Sequence, residues 1–209
     1  MNIAIGDIHG RNCWEDINFD MYDNIYFLGD YFDSFSISFE DQFKNFKNIT
    51  DFARKDKRVH LCIGNHDFQY LSGVSEWERY SGFQSKNYTA INTILQDNLG
   101  MLQFGYINGN YILTHAGVSK VWLMSSGLSL DTIDRWKNDY KNFYFNGIDF
   151  CGDDKTQSPI WIRPISLSKS KVEDYKQIIG HTPVKNVSTV GNLTLCDCLD
   201  YNIEFFEFE

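Results

Sequence analysis

Apolar residues along the chain fall into short blocks, and each block stops at a glycine or a polar turn. Asn2-Ile-Ala-Ile5, Ile25-Tyr-Phe-Leu28 and Val59-His-Leu-Cys-Ile63 read as buried strands over 2–6, 25–29 and 59–63. Between the second and third, Phe39, Phe43, Phe46 and Ala53, with Ile49 and Phe52 among them, recur at helical spacing and predict an amphipathic helix over 39–55. Strand, helix and strand in that order predict a crossover connection and parallel neighbours. Residues 14–23 predict a short helix or loop.

The second half reads mostly as strand, at 101–106, 110–114, 159–163, 176–180, 192–197 and 202–208, the last an edge strand. Asn108-Gly109 marks a hairpin turn. Helices are predicted near 86–98 and from Asp131 to Phe143, the latter with Ile133, Trp136 and Tyr140 on one face. The polar and aromatic stretches 68–100 and 119–158 suit walls or lids over a site. Within the second, Gly147 to Asp154 predicts an exposed acidic loop that lacks calcium-loop spacing. No repeat, low-complexity tract or linker interrupts the chain, so one domain over 1–209 is expected.

Composition narrows this picture. At 209 residues, 43% hydrophobic and 22% charged, the chain suits one folded core. Aromatics, at 16%, fill that core. A net charge of −9 disfavours a long nucleic acid, because the main basic cluster, Arg54 to Arg58, sits at a predicted helix end as a solvated terminus. The five cysteines are odd in number and lack Cys-x-x-Cys spacing. Cys196 and Cys198, on alternate positions of a predicted strand, read as small hydrophobes sharing one face. A strand starting at residue 2 leaves no room for a leader, and no apolar run reaches membrane-spanning length. The expectation is a soluble protein of a reducing cytoplasm, with no membrane partner and a composition compatible with a monomer.

Five loops carry the chemistry. Gly6-Asp7-Ile8-His9-Gly10, Gly29-Asp30-Tyr31-Phe32-Asp33, Gly64-Asn65-His66-Asp67, His115-Ala-Gly117 and Gly180-His181-Thr182-Pro183 each follow a predicted strand. Of 5 histidines, four lie in these loops; His60, inside a strand, reads as structural. Any one loop is an ordinary turn. In succession they predict one dinuclear metal site outside the carboxyl ends of the strands. Aspartate oxygens with histidine nitrogens suit manganese, iron or zinc. Two such ions, about 3.5–4 Å apart, can clamp a phosphoryl oxygen and acidify a water between them. A carboxylate must separate the two charges, and Asp30 is central in the order. His66 beside Asp33 suits a general acid.

These motifs resemble the calcineurin-like metallophosphoesterases, especially the bacterial and phage members of their phosphoprotein phosphatase branch. That signature reads Gly-Asp-x-His-Gly, Gly-Asp-x-x-Asp-Arg-Gly, Gly-Asn-His-Glu and two later histidines, and the resemblance spans residues 6 to 183. It implies an α/β (α+β) fold of four layers, a central β-sandwich flanked by helices. It implies that Asp7, His9 and Asp30 hold one metal and that Asp30, Asn65, His115 and His181 hold the second. Manganese is the first expectation, iron or zinc the alternatives. Asn65 would also touch the substrate. His66, assisted by Asp33, would protonate the leaving alkoxide while a metal-bridging hydroxide attacks phosphorus in line. Trp161-Ile-Arg163-Pro164 resembles a Trp-x-Arg segment of bacterial members whose arginine grips the phosphate.

The sequence departs from this signature in several places. The family arginine is Ser34 and the next glycine is Phe35, so one phosphate clamp is missing, for which Arg11 is the candidate substitute. Asp67 stands for glutamate, and Ala116 for glycine. The implied activity is hydrolysis of phosphomonoesters, on a phosphorylated protein or a small phosphoester, of the serine/threonine phosphatase kind. A dinucleoside polyphosphate or another phosphodiester is the alternative substrate. A third reading, a non-enzymatic binding scaffold, is opposed by the complete ligand set.

Overall fold

The computed structural model describes residues 1–146 and 154–209. In chain order the elements are β1 (Asn2–Ile5), β2 (Asn24–Phe27), α1 (Phe39–Lys55), β3 (Val59–Cys62), α2 (Asn65–Phe68), α3 (Tyr88–Asn98), β4 (Leu102–Gln103) and β5 (Gly105–Asn108). They continue with β6 (Tyr111–Thr114), α4 (Lys120–Ser126), α5 (Pro164–Ser168), β7 (Lys176–Ile179), β8 (Ser188–Val190), β9 (Leu193–Leu195) and β10 (Phe206–Phe208). Short 3₁₀ turns at Cys13–Asp16 and Phe19–Met21 fill the stretch between β1 and β2.

Two five-stranded sheets result, in the orders β10-β1-β2-β3-β4 and β5-β6-β7-β9-β8. Strands β1 to β4 are mutually parallel, with β10 antiparallel at the edge. Their register sets Ile3, Ile25 and Val59 in one row and Ala4, Tyr26 and His60 in the next. Because successive side chains point to opposite faces, the first row packs outward with Phe46 and Ile49 of α1. The opposite face, Ala4, Tyr26, Leu28 and Cys62, meets Leu113 and Ile178 of the second sheet and Cys196 just past its β9. Beyond that sheet, Leu167 of α5 packs on Ala116, Ile179 and Leu193. Helix, sheet, sheet and helix make the four layers anticipated from the resemblance. Helix α1 starts where Ser38 Oγ accepts the Asp41 N–H at 3.1 Å and ends on Arg54 and Lys55, which suit its negative pole. His60 is structural, its ring 4.7 Å from that of Tyr26 and its Nε2 3.0 Å from Asn24 Oδ1.

Several expectations are corrected. Residues 159–163 form a turn, not a strand: the N–H groups of Trp161 and Ile162 both donate to Ser158 O, at 2.9 and 3.1 Å. Ile160, Trp161 and Ile162 are buried by packing instead of by pairing. The 101–106 strand is two strands in different sheets, separated at Phe104, which stacks on Phe143 at 3.6 Å. The helix from Asp131 to Phe143 is a pair of 3₁₀ segments, Leu130–Asn138 and Tyr140–Phe143, broken at Asp139, although Ile133 and Trp136 are buried as expected. The 202–208 strand shrinks to β10, and the 192–197 strand stops at Leu195. Cys196 therefore enters the core between the sheets, while Cys198 Sγ lies 3.5 Å from Glu204 O. Arg58 is not a solvated helix end; it donates to Asp56 and to the carbonyls of Phe19 and Tyr22, closing that loop. Helices α2, α4 and α5 and strand β8 had no predicted counterpart. Apart from Asp154, the acidic loop predicted from Gly147 lies outside the described residues. Among the described residues no helix is long and apolar enough to cross a membrane.

Candidate metal centre

Each candidate ligand sits just past the carboxyl end of a strand. Asp7 follows β1, Asp30 and Asp33 follow β2, and Asn65 and His66 open α2 after β3. From the second sheet, His115 follows β6 and His181 follows β7. Buried atoms of Asp7, Asp30 and His115 all lie within 4.8 Å of one another. Asp30 Oδ2 stands 3.6 Å from His9 Nε2 and 3.4 Å from His115 Nε2, so this carboxylate lies between the two rings. Asn65 Oδ1 lies 2.9 Å from His115 Nε2 and 3.0 Å from His181 Nδ1.

Backbone carbonyls orient these rings. His9 Nδ1 meets Phe32 O at 2.5 Å, His115 Nδ1 meets Leu28 O at 2.9 Å, and His181 Nε2 meets Trp161 O at 3.1 Å. A carbonyl accepts only from an N–H, so each ring spends its proton there and turns its other lone pair inward. With Asn65 Oδ1 directed at two of those lone pairs, three acceptors converge without a hydrogen among them. A cation satisfies all three. This donor set fits divalent metal ions of the manganese, iron and zinc type.

The loops that aim the donors are strained. His9, Asp30, Asp33 and His181 have φ of 41°, 54°, 66° and 63°, four of the five described non-glycine residues in the left-handed region. Each such residue costs about 1–3 kcal/mol. Asp67 holds the second loop: its Oδ2 accepts the N–H of Asp30 (2.8 Å) and of Gly64 (3.0 Å), and its Oδ1 accepts that of Tyr31 (2.8 Å). Donors also fix the ligand carboxylates, with His66 N–H on Asp30 Oδ1 at 2.9 Å and His181 N–H on Asp7 Oδ1 at 3.0 Å. Glycine is required opposite both, because a Cβ at Gly64 would overlap Asp30 Oδ1 and one at Gly180 would overlap Asp7 Oδ1.

Burial first, then Asp197 and Asp30, raises the Asp7 carboxyl well above the usual range; burial, then Asp67, does the same to Asp30. Burial likewise pushes His9 and His115 down to about 3 and lowers His181. Neutral imidazoles beside desolvated carboxylates are the protonation pattern metal ligation needs, and a dication would reverse the cost of ionising Asp7 and Asp30.

His66 stands beside this cluster, its ring 5.2 Å from that of His9 and its Nδ1 3.0 Å from Asp33 Oδ2. Asp33 is buried and also accepts from Gln69 Nε2, from Tyr70 OH (2.6 Å) and from Gln84 Nε2 (3.2 Å). Tyr70 OH in turn accepts the Gln84 N–H at 2.6 Å. Surrounded by donors, Asp33 can only accept, which places the His66 Nδ1 proton on the Asp33 side and turns Nε2 away from it.

Sequence reasoning missed Gln69, Tyr70 and Gln84. The first two follow the third motif directly and could have been flagged; Gln84 carried no signal. It also missed Asp197 and Asp200, which line the same cavity of about 380 Å³. Burial raises Asp197 to about 6. Arg11 and Arg163 both reach this cavity. Arg11 donates to Ile8 O at 3.2 Å and pairs with Asp200, while Arg163 Nη1 donates to His181 O (2.8 Å) and Thr182 Oγ1 (3.2 Å). Ser34 Oγ accepts the N–H groups of Ser36 and Ile37, at 3.3 and 3.1 Å, and so stabilises its own turn.

The sequence profile of the calcineurin-like phosphoesterase family matches residues 3–206. No curated protein matches the sequence. Among solved structures, the cold-active protein-tyrosine phosphatase of a psychrophilic Shewanella species is similar with a TM-score of 0.61 and 18% identity, covering 94% of this chain and 70% of that one. A further structure of a cold-active protein tyrosine phosphatase gives 0.60 and 20%, over 94% and 69% of the respective chains. At these identities the likeness is one of fold.

Proposed function

This chain belongs to the calcineurin-like phosphoesterases and is a metal-dependent phosphoesterase, and on that premise we propose that it hydrolyses phosphomonoesters as a single-domain enzyme. Asp7, His9 and Asp30 hold one metal ion; Asp30, Asn65, His115 and His181 hold the second, with manganese the first candidate. Once bound, the ions supply Lewis acidity toward phosphoryl oxygens and acidify the attacking water.

The observation that carries the monoester reading is the His66–Asp33 pair. Asp33 fixes the ring through Nδ1, at 3.0 Å, and the ring lines the cavity beside the ligands. From there His66 donates a proton to the departing alkoxide, a step worth about 10²–10⁴ in rate. Arg163 binds the phosphate from the rim, its guanidinium oriented by His181 O and Thr182 Oγ1. Arg11 contributes charge from the other side.

The charge balance of the cavity favours a monoester over a dinucleoside polyphosphate. Its lining holds five aspartates (Asp7, Asp30, Asp33, Asp197, Asp200) against two arginines. Two divalent ions bring that site close to neutrality, which suits one phosphate dianion and not a string of phosphates. The activity named for the structural neighbours, protein-tyrosine phosphatase, is also a monoester hydrolysis. Free Cys13, Cys62, Cys196 and Cys198 support a reducing, cytoplasmic setting.

The test is hydrolysis by chelator-stripped protein reconstituted with manganese, iron or zinc. p-Nitrophenyl phosphate is expected to be cleaved faster than its bis-ester and than diadenosine tetraphosphate. Preference for either of the latter would overturn the monoester reading.

A further inference from the structure

The position where the family carries its second loop arginine has become a turn that presents an aromatic ring. Ser34 folds its hydroxyl back on the N–H groups of Ser36 and Ile37, and Gln42 Oε1 accepts the Ser34 N–H at 3.3 Å. Between these fastened residues Phe35 projects outward, 83% exposed, on the lining of the catalytic cavity. The turn is pinned on both sides of this ring, which holds Phe35 at the cavity.

That ring and His66 line the same cavity. A Cβ placed on Gly82 would stand 3.0 Å from Asp33 Cβ and 3.5 Å from Phe35 Cζ, so the ring tip lies close to the stem of Asp33, the residue whose carboxylate orients His66. The facing wall includes Tyr80 and Ser81 and is fastened to the Asp33 carboxylate: the Tyr80 N–H donates to Gln69 Oε1 at 2.8 Å, and Gln69 donates to Asp33. Tyr80 itself is braced by Trp161, ring to ring at 4.5 Å. Both walls are therefore set relative to the residue that protonates the departing oxygen. A serine or threonine phosphate places one or two small carbons beyond that oxygen and leaves the ring uncovered. A phenolic phosphate places a flat ring there.

We propose that Phe35 is a specificity-determining residue and that the site prefers aryl phosphomonoesters, phosphotyrosine among them, over alkyl ones. The proposal rests on the phosphomonoesterase reading and takes His66 as the group facing the leaving oxygen. Ring-on-ring contact with Phe35 is what distinguishes the two substrate classes.

Inhibition by non-hydrolysable phosphonates separates this contact from the intrinsic reactivity of aryl esters. With the manganese-loaded full chain, inhibition constants for benzylphosphonate and propylphosphonate are measured against p-nitrophenyl phosphate, and binding of both is followed by calorimetry. Wild type is expected to favour the benzyl compound by about five- to tenfold, the scale of one aromatic pair. Phe35→Ala is expected to erase that ratio, and Phe35→Tyr to restore it; the exposed position makes both variants safe for folding. Turnover with no benzyl preference, or a preference that survives Phe35→Ala, overturns the aryl assignment and leaves the monoesterase reading intact. Failure of both phosphonates to bind, together with absent monoester turnover, overturns both.

Discussion

Asp67 Oδ2 accepts the backbone N–H of Asp30 at 2.8 Å and thereby holds in place the residue whose carboxylate lies between His9 and His115. The shorter aspartate, standing where the family has glutamate, still reaches three N–H groups. An amide in its place would turn an NH₂ toward at least one of those donors. Asp67→Asn is expected to destabilise the fold by about 3 kcal/mol, the scale of an uncompensated buried hydrogen-bonding group. The urea midpoint measures this, and an unchanged midpoint would refute the clamp.

Asp30→Asn and His66→Asn should separate binding from chemistry. The first removes a charge from between two metal positions, so metal content and activity are expected to vanish together. The second keeps both metals while lowering kcat by about 10²-fold or more, most for poor leaving groups. Metal analysis of the purified variants decides the matter; loss of metal from His66→Asn would remove it from the proton-donor role.

Tyr70→Phe deletes the 2.6 Å donor to Asp33 and the acceptor of the Gln84 N–H, while keeping the ring that stacks on Phe83 at 4.9 Å. Metal content should hold. Turnover should fall by roughly tenfold, with the loss growing as the leaving group becomes more basic, because the damage reaches the reaction through His66. A uniform loss across leaving groups would mean that Tyr70 only supports the fold.

Removing metal should expose a pH dependence with a definite sign. Burial above all raises Asp67 from 3.8 to about 7, and Asp7 and Asp30 move the same way. The folded state then keeps protons that the unfolded state has released, so this contribution is full below pH 3.8 and is lost as pH rises through about 7. His9 and His115, lowered from 6.5 to about 3, and His181, lowered by the same burial, act oppositely and lose stability only as pH falls below 6.5. Between pH 6.5, the ordinary histidine value, and about 7, the Asp67 value, the carboxylates dominate. The chelated protein should lose stability across that window, by up to about 1.4 kcal/mol per pH unit and group, and manganese should flatten the slope. Urea titrations with and without metal provide the check.

The positions of Asp7, Asp30 and His181 were legible because each follows a glycine at the end of an apolar run, and His115 because its run ends in a glycine-containing loop, a purely local signal. What escaped was non-local. The run around Phe104 looks continuous, yet it changes sheets, and sheet membership depends on partners far along the chain. Ile160-Trp-Ile162 has the composition of a strand, but Ser158 O captures two of its N–H groups; burial by packing and burial by pairing leave the same apolar trace. Gln84 meets Asp33 across 51 positions, and a single polar residue in a loop announces no such partner.

Asp7, Asp30 and Asn65 hang from one sheet, His115 and His181 from the other. With the proposed ligand set occupied, the ions would rivet the sandwich, because their ligands come from both sheets. The waiting time for unfolding then follows the escape of metal more than the strength of the apolar layer between the sheets.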